Sequence, residues 1–125
     1  MTNFTHIEGT FTLDNSISLY IPTVYQNHSP IPTEEVDKYK RIVAERLVDF
    51  FGGVTETEGK GYFKHSTGEV QEEKVFILSS FADDESLSNN SKKLKTLAHL
   101  LAIALLQESV LLVVNGVAGF YKQRK

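Results

Sequence analysis

Ile17, Leu19 and Ile21 alternate with Ser16, Ser18 and Tyr20, the period-2 pattern of a half-buried strand, and Pro22 closes it. A weaker alternation, Phe4 to Leu13, predicts an additional strand before the turn residues Asp14-Asn15. After an irregular stretch from Thr23 to Pro32 the period changes. Val36, Tyr39, Val43, Leu47 and Phe50 form one helical stripe, widened by Ile42 and Phe51, and predict a helix over 34–51. Thr33 is the expected N-cap, with Glu34, Glu35 and Asp37 in the first turn; Asp37 and Arg41 make an i, i+4 pair, and Gly52-Gly53 stops the helix.

Polar residues from Val54 to His65, a turn at Ser66-Thr67-Gly68-Glu69 and the apolar centre Val75-Phe76-Ile77-Leu78 predict a hairpin with a wet outer strand and a buried inner one. Ala82 to Ser91 reads as a polar loop, with Ser88 or Ser91 capping a second helix over about 92–106. The last strand spans 109–114. Asn115-Gly116 is a strong hairpin turn into Val117–Tyr121, and Lys122 to Lys125 form a frayed basic tail.

The order β, α, β-hairpin, α, β predicts one α+β domain over residues 1–125: a ferredoxin-like split βαβ sandwich. Its sheet is antiparallel, with two helices on one face and extra strands at either end. Such a sandwich leaves one sheet face without helices, where polar alternation is expected. Val110-Leu111-Leu112-Val113-Val114 does not alternate, and the second helix has Leu100, Ile103 and Leu106 to spare. This surplus predicts self-association, as a twofold homodimer, through Phe76, Leu78, Leu100, Ile103, Leu112 and Val114, the alternative being that segment 4–13 or the residues after Asn115 fold over the sheet.

Composition narrows the chemistry. Apolar content of 41% and charged content of 23% suit a folded domain, and the net charge of −3 gives nucleic acid no electrostatic purchase. There are no cysteines, which excludes disulfides, thiolate metal sites and cysteine nucleophiles. The N-terminus has no secretory pattern, and the run 94–114 is broken by Lys95, His99, Gln107 and Glu108, so no membrane span is expected and the cytoplasm is the default compartment.

His6, His28, His65 and His99 lack metal-ligand spacing, and Asp83-Asp84-Glu85 lacks the glycine of a calcium loop, so no metal is expected. No cofactor fingerprint is present either. His99 reads as a satisfied histidine on a helix. His28 and His65, in a proline-bounded loop and at a hairpin end, are candidate catalytic groups, although surface histidines are more often inert. Tyr25, Lys60, Tyr62 and Lys64 are candidate ligand contacts. With Phe63, the stretch 59–65 could stack a base, the alternative being ordinary sheet packing. Glu108 follows a helix end, where a carboxylate is unfavourable, and so calls for a structural partner or a ligand. Gln107 beside it has an amide able to bond the last helical carbonyls.

Gln107-Glu108-Ser109-Val110-Leu111, following a helix and opening the last strand, together with Glu73-Lys74-Val75-Phe76-Ile77-Leu78, resembles a family of small uncharacterised bacterial ferredoxin-like domains. The resemblance spans roughly residues 17–121 and implies the fold, with no activity attached. The leading expectation is a non-enzymatic, self-associating binding protein whose partner is a protein or a small metabolite. The alternative is a small dimeric ferredoxin-like enzyme with a pocket between helices and sheet that uses His28, His65 or Glu108. Single-stranded nucleic-acid binding through Lys60, Tyr62, Lys64 and the basic tail is a third.

Overall fold

The computed structural model describes residues 11–64 and 67–123. The elements run β1 Asn15–Pro22, α1 Thr33–Phe51, β2 Thr55–Lys64, β3 Val70–Ala82, α2 Asp84–Ala104, β4 Ser109–Val114 and β5 Val117–Lys122. One antiparallel sheet has the order β2-β3-β1-β4-β5, the ferredoxin-like arrangement with β5 added at an edge. Residues 11–14 carry no strand, and the rest of the expected N-terminal strand lies outside the described residues.

Ile17, Leu19 and Ile21 are fully buried at the centre of the sheet. Register assigns their face. Leu19 lies opposite Leu78 and Leu112, and Ile21 opposite Phe76, so these residues meet the helices. Val36, Val43 and Leu47 of α1, and Leu94, Ala98, Leu101 and Ala102 of α2, complete the same cluster. Leu78 and Leu112, expected at a surface, are therefore core at 1% and 2% exposure. Phe76 and Val114 are half-buried against that core, whereas Leu100 and Ile103 are exposed on α2. The surplus apolar side chains of the sheet are their sequence neighbours on the helix-free face: Ile77, Leu111 and Val113.

Element ends follow side-chain chemistry, with four departures from the sequence reading. Pro32, not Thr33, occupies the N-cap of α1, with no side-chain cap bond; its fixed φ suits helix entry. Arg41 pairs with Glu45 at 3.2 Å, and Asp37 with Lys40 at 3.5 Å. The stretch expected as a loop is the first part of α2, which starts at Asp84 because the Asp83 carboxylate accepts from the Ser86 amide at 2.7 Å. Gly52, at φ 92°, ends α1 in the left-handed conformation. Asn115 and Gly116, at φ 51° and 79°, make the tight turn between β4 and β5. Lys122 of the expected tail closes β5, and Gln123 Nε2 donates to the Gln107 carbonyl at 2.7 Å. Residues 124 and 125 lie outside the described residues.

Buried polar groups are paired. Asn15 Nδ2 donates to the Ala82 carbonyl at 3.1 Å and to Asp84 at 2.8 Å, and Asn15 Oδ1 accepts from Asn115 at 2.9 Å. This ties the start of β1 to the start of α2 and to the last turn. No helix among the described residues is long and apolar enough to cross a membrane.

Candidate functional site

At the end of the sheet where β1 finishes, the helix-free face meets two connections and forms a cleft of about 490 Å³. Tyr20, Pro22, Val75, Leu111, Phe63 and Phe120 supply its apolar wall; Gln71, Glu73, Gln107 and Glu108 supply most of its polar groups. The connection after β1 is a compact loop. Tyr25 N–H donates to the Ser29 carbonyl at 2.8 Å, His28 N–H to the Tyr25 carbonyl at 2.9 Å, and Ile31 N–H to the Thr23 carbonyl at 2.8 Å. His28 is held at φ 71°, a left-handed conformation uncommon outside glycine.

The second connection is the exit from α2. Leu106 takes the left-handed position at φ 50°, and the Gln107 amide reaches back to the Ala102 carbonyl at 2.8 Å. Gln107 Nε2 then donates to Leu105 at 2.9 Å and across to the Val24 carbonyl at 2.7 Å. One side chain thus satisfies the helix end and fastens it to the loop after β1. Glu108 lies just beyond the end of α2, is exposed, and is among the residues that line the cleft.

Glu73 is the other carboxylate. Its Oε1 accepts from the Thr23 amide at 3.1 Å, while Thr23 Oγ1 donates to the Lys74 carbonyl at 2.6 Å. Burial pushes the Glu73 carboxyl above its ordinary range, partly offset by the amides of Thr23 and Val24 and by the charge of His28. β3 and β4 flank β1 on either side. Two strand spacings, about 10 Å, therefore separate the backbones that carry Glu73 and Glu108. Among the described residues, lysine and arginine are absent from the lining. An anionic ligand would meet two carboxylates there; a flat, cationic one would meet carboxylates and aromatic rings.

Of the candidates named from sequence, Tyr25, His28 and Glu108 line this cleft. His65 lies outside the described residues. Lys60, Tyr62 and Lys64 occupy the opposite face of β2, because register sets them across from Lys74, Glu72 and Val70. Lys60 is committed to Glu72 at 3.0 Å, and Lys74 to Glu58 at 3.2 Å, diagonal pairs that relieve the direct opposition of two lysines. His99 bonds the Lys122 carbonyl at 2.6 Å and meets the Tyr121 ring edge-on, fastening α2 to β5. Among the described residues no cluster of three or more His, Cys, Asp or Glu side chains could hold a metal ion.

Glu73, Gln71, Tyr20 and Phe120 were not singled out from sequence. Glu73 had a signal: it stands two residues before Val75 and four before Ile77, hence on their face of β3, although Glu72-Glu73-Lys74 looks like a solvated charge run.

No family model and no curated protein matches the chain. Solved structures do. A phage SAM lyase in complex with S-methyl-5′-thioadenosine superposes with a TM-score of 0.62 at 15% identity, over 95% of this chain and 95% of its own. The apo state of a phage SAM lyase gives 0.60 at 19% identity, over 89% of each chain. CutA from Synechococcus elongatus gives 0.48 at 17% identity, over 88% of this chain and 83% of its own. At these identities the likeness is one of fold, and the chain has the ferredoxin-like α+β fold.

Proposed function

We propose that the cleft binds S-adenosylmethionine and that the protein is a lyase acting on it. The observation that carries the reading is the composition of the cleft: Glu73 and Glu108 among Tyr20, Tyr25, Phe63 and Phe120, with no lysine or arginine among the described residues. S-adenosylmethionine presents a flat base and a sulfonium cation, which suit aromatic walls and carboxylates. Phosphate-bearing ligands suit this lining poorly. Support from outside the chain is the phage SAM lyase, which shares the fold over nearly its whole length and holds S-methyl-5′-thioadenosine.

Formation of that thioether breaks the bond between the sulfonium sulfur and the aminobutyryl carbon, and the bonding pair stays on sulfur. The four-carbon fragment balances the reaction without water by bonding its own carboxylate to that carbon, which closes a lactone and leaves no proton to place. Glu73 and Glu108 hold the cation in the ground state. An aromatic wall that excludes water favours the charge-neutralising step.

Self-association is the second part of the proposal. Apolar side chains of the helix-free face reach past the cleft to Ile77, Val113 and Phe81, the last 61% exposed, and a second copy of the chain is their natural cover.

Incubation of the purified protein with S-adenosylmethionine, followed by chromatography, is expected to show S-methyl-5′-thioadenosine that Glu73→Gln and Glu108→Gln variants fail to form. Binding by calorimetry without any product would return the protein to the binding class. Neither binding nor product would overturn the assignment.

A further inference from the structure

The glycines of β2 bear on how the cleft is shaped. Gly59, Gly61 and Phe63 share the helix-free face of this edge strand, opposite Val75, Glu73 and Gln71 of β3. A Cβ on Gly61 would stand 3.0 Å from both Cε2 and Cζ of Phe63. The Phe63 ring therefore lies back along the strand over Gly61, beside the position of Glu73, rather than standing off the sheet. Gly61 is not among the residues at positive φ, so its backbone does not require glycine. What the position requires is space for the ring. Phe63 is 48% exposed and lines the cleft.

We infer that Gly61 is a positioning residue that lays the Phe63 ring down as the stacking surface for the adenine of the ligand, so that the pair sets the preference for an adenosine-bearing molecule. The inference rests on the function proposed above and deepens it by assigning the base to the β2 edge of the cleft. A base stacked there leaves the ligand's charged part to run inward, past Glu73 toward β1 and Glu108. Any side chain at position 61 moves the ring, because two of its carbons already touch the place a Cβ would take.

The test uses S-methyl-5′-thioadenosine as the probe, with calorimetric titration and thermal denaturation of the wild type, Phe63→Leu, Phe63→Ala, Gly61→Val and the Gly61→Val/Phe63→Ala pair. Removing a stacked ring weakens base binding by about tenfold or more. Phe63→Leu, which keeps apolar bulk, and Gly61→Val are each expected to lose about that much. Valine suits an exposed strand better than glycine does, so Gly61→Val should leave the thermal midpoint unchanged or raise it while affinity falls. In the Phe63→Ala background, Gly61→Val should cost no further affinity, since no ring remains to displace.

Wild-type affinity in Phe63→Leu would overturn the stacking role. An equal loss from Gly61→Val with and without the ring would overturn the positioning role. A wild type that does not bind the probe would remove the functional reading and the inference with it. A wild type that binds while every variant matches it would remove the inference alone.

Discussion

Glu73 stands between two charged neighbours, yet its surroundings differ from theirs. Glu72 and Lys74 point to the wet side of the hairpin and are paired with Lys60 and Glu58. Glu73 points to the other face and accepts from the backbone of the loop after β1. Its raised pKa means that the native state holds the proton more tightly than the unfolded chain does. Its contribution to stability is full below the ordinary value of 4.5 and is lost as pH rises through the higher native value. Binding of a cation needs the ionised form, so affinity should rise over the same window in which stability falls. Chemical denaturation and ligand titration across that range check both slopes. Glu73→Gln should flatten the stability slope and remove the pH dependence of binding there; a variant that keeps both slopes would assign them to another group.

Strands were legible because alternation is a direct consequence of the pleat. Ile17, Leu19 and Ile21 needed only their spacing to be placed in the core. Where both faces of a strand are apolar, spacing no longer says which set is inside, and the reading put Leu78 and Leu112 at a surface. Register decides it, since both lie opposite Leu19. Leu112→Ala is therefore expected to cost about 2–5 kcal/mol within the chain, whereas Val113→Ala, one residue on and on the helix-free face, should cost under about 1 kcal/mol when measured below the concentration at which copies associate. Urea denaturation of the two variants checks the assignment, and equal costs would contradict it. The start of α2 was illegible for a different reason. Serine and asparagine in 86–91 are weak helix formers, and what holds that turn is tertiary: Asn90 Nδ2 donates to the Phe50 carbonyl at 3.1 Å as well as to Ser86 at 2.8 Å. The Asp83 cap could have been read locally; the tie to α1 could not.

For the whole molecule, element order was enough to name the architecture, because two interleaved βαβ units have few unknotted arrangements. The cleft was only half legible. Its loop residues, Tyr25, His28 and Glu108, stood out as loop or junction chemistry, but their convergence with Glu73 depends on β3 and β4 both flanking β1. The same topology separates the two exposed apolar surfaces. Phe81 belongs to the helix-free face, at the end of the sheet away from the cleft, across from Ser16. Leu100, at 55% exposure, and Ile103, at 41%, belong to the outer side of α2. A contiguous sheet face buries more apolar area than a stripe one helix turn wide, so the sheet is the stronger interface. Light scattering over a concentration series is expected to show an oligomer that Phe81→Glu dissociates and Leu100→Glu leaves intact, with both variants retaining the wild-type circular dichroism. Dissociation by Leu100→Glu alone would move the interface to α2. A wild type that stays monomeric at high concentration would leave the cleft to function within a single chain, and the ligand titrations above would then have to succeed without a second copy.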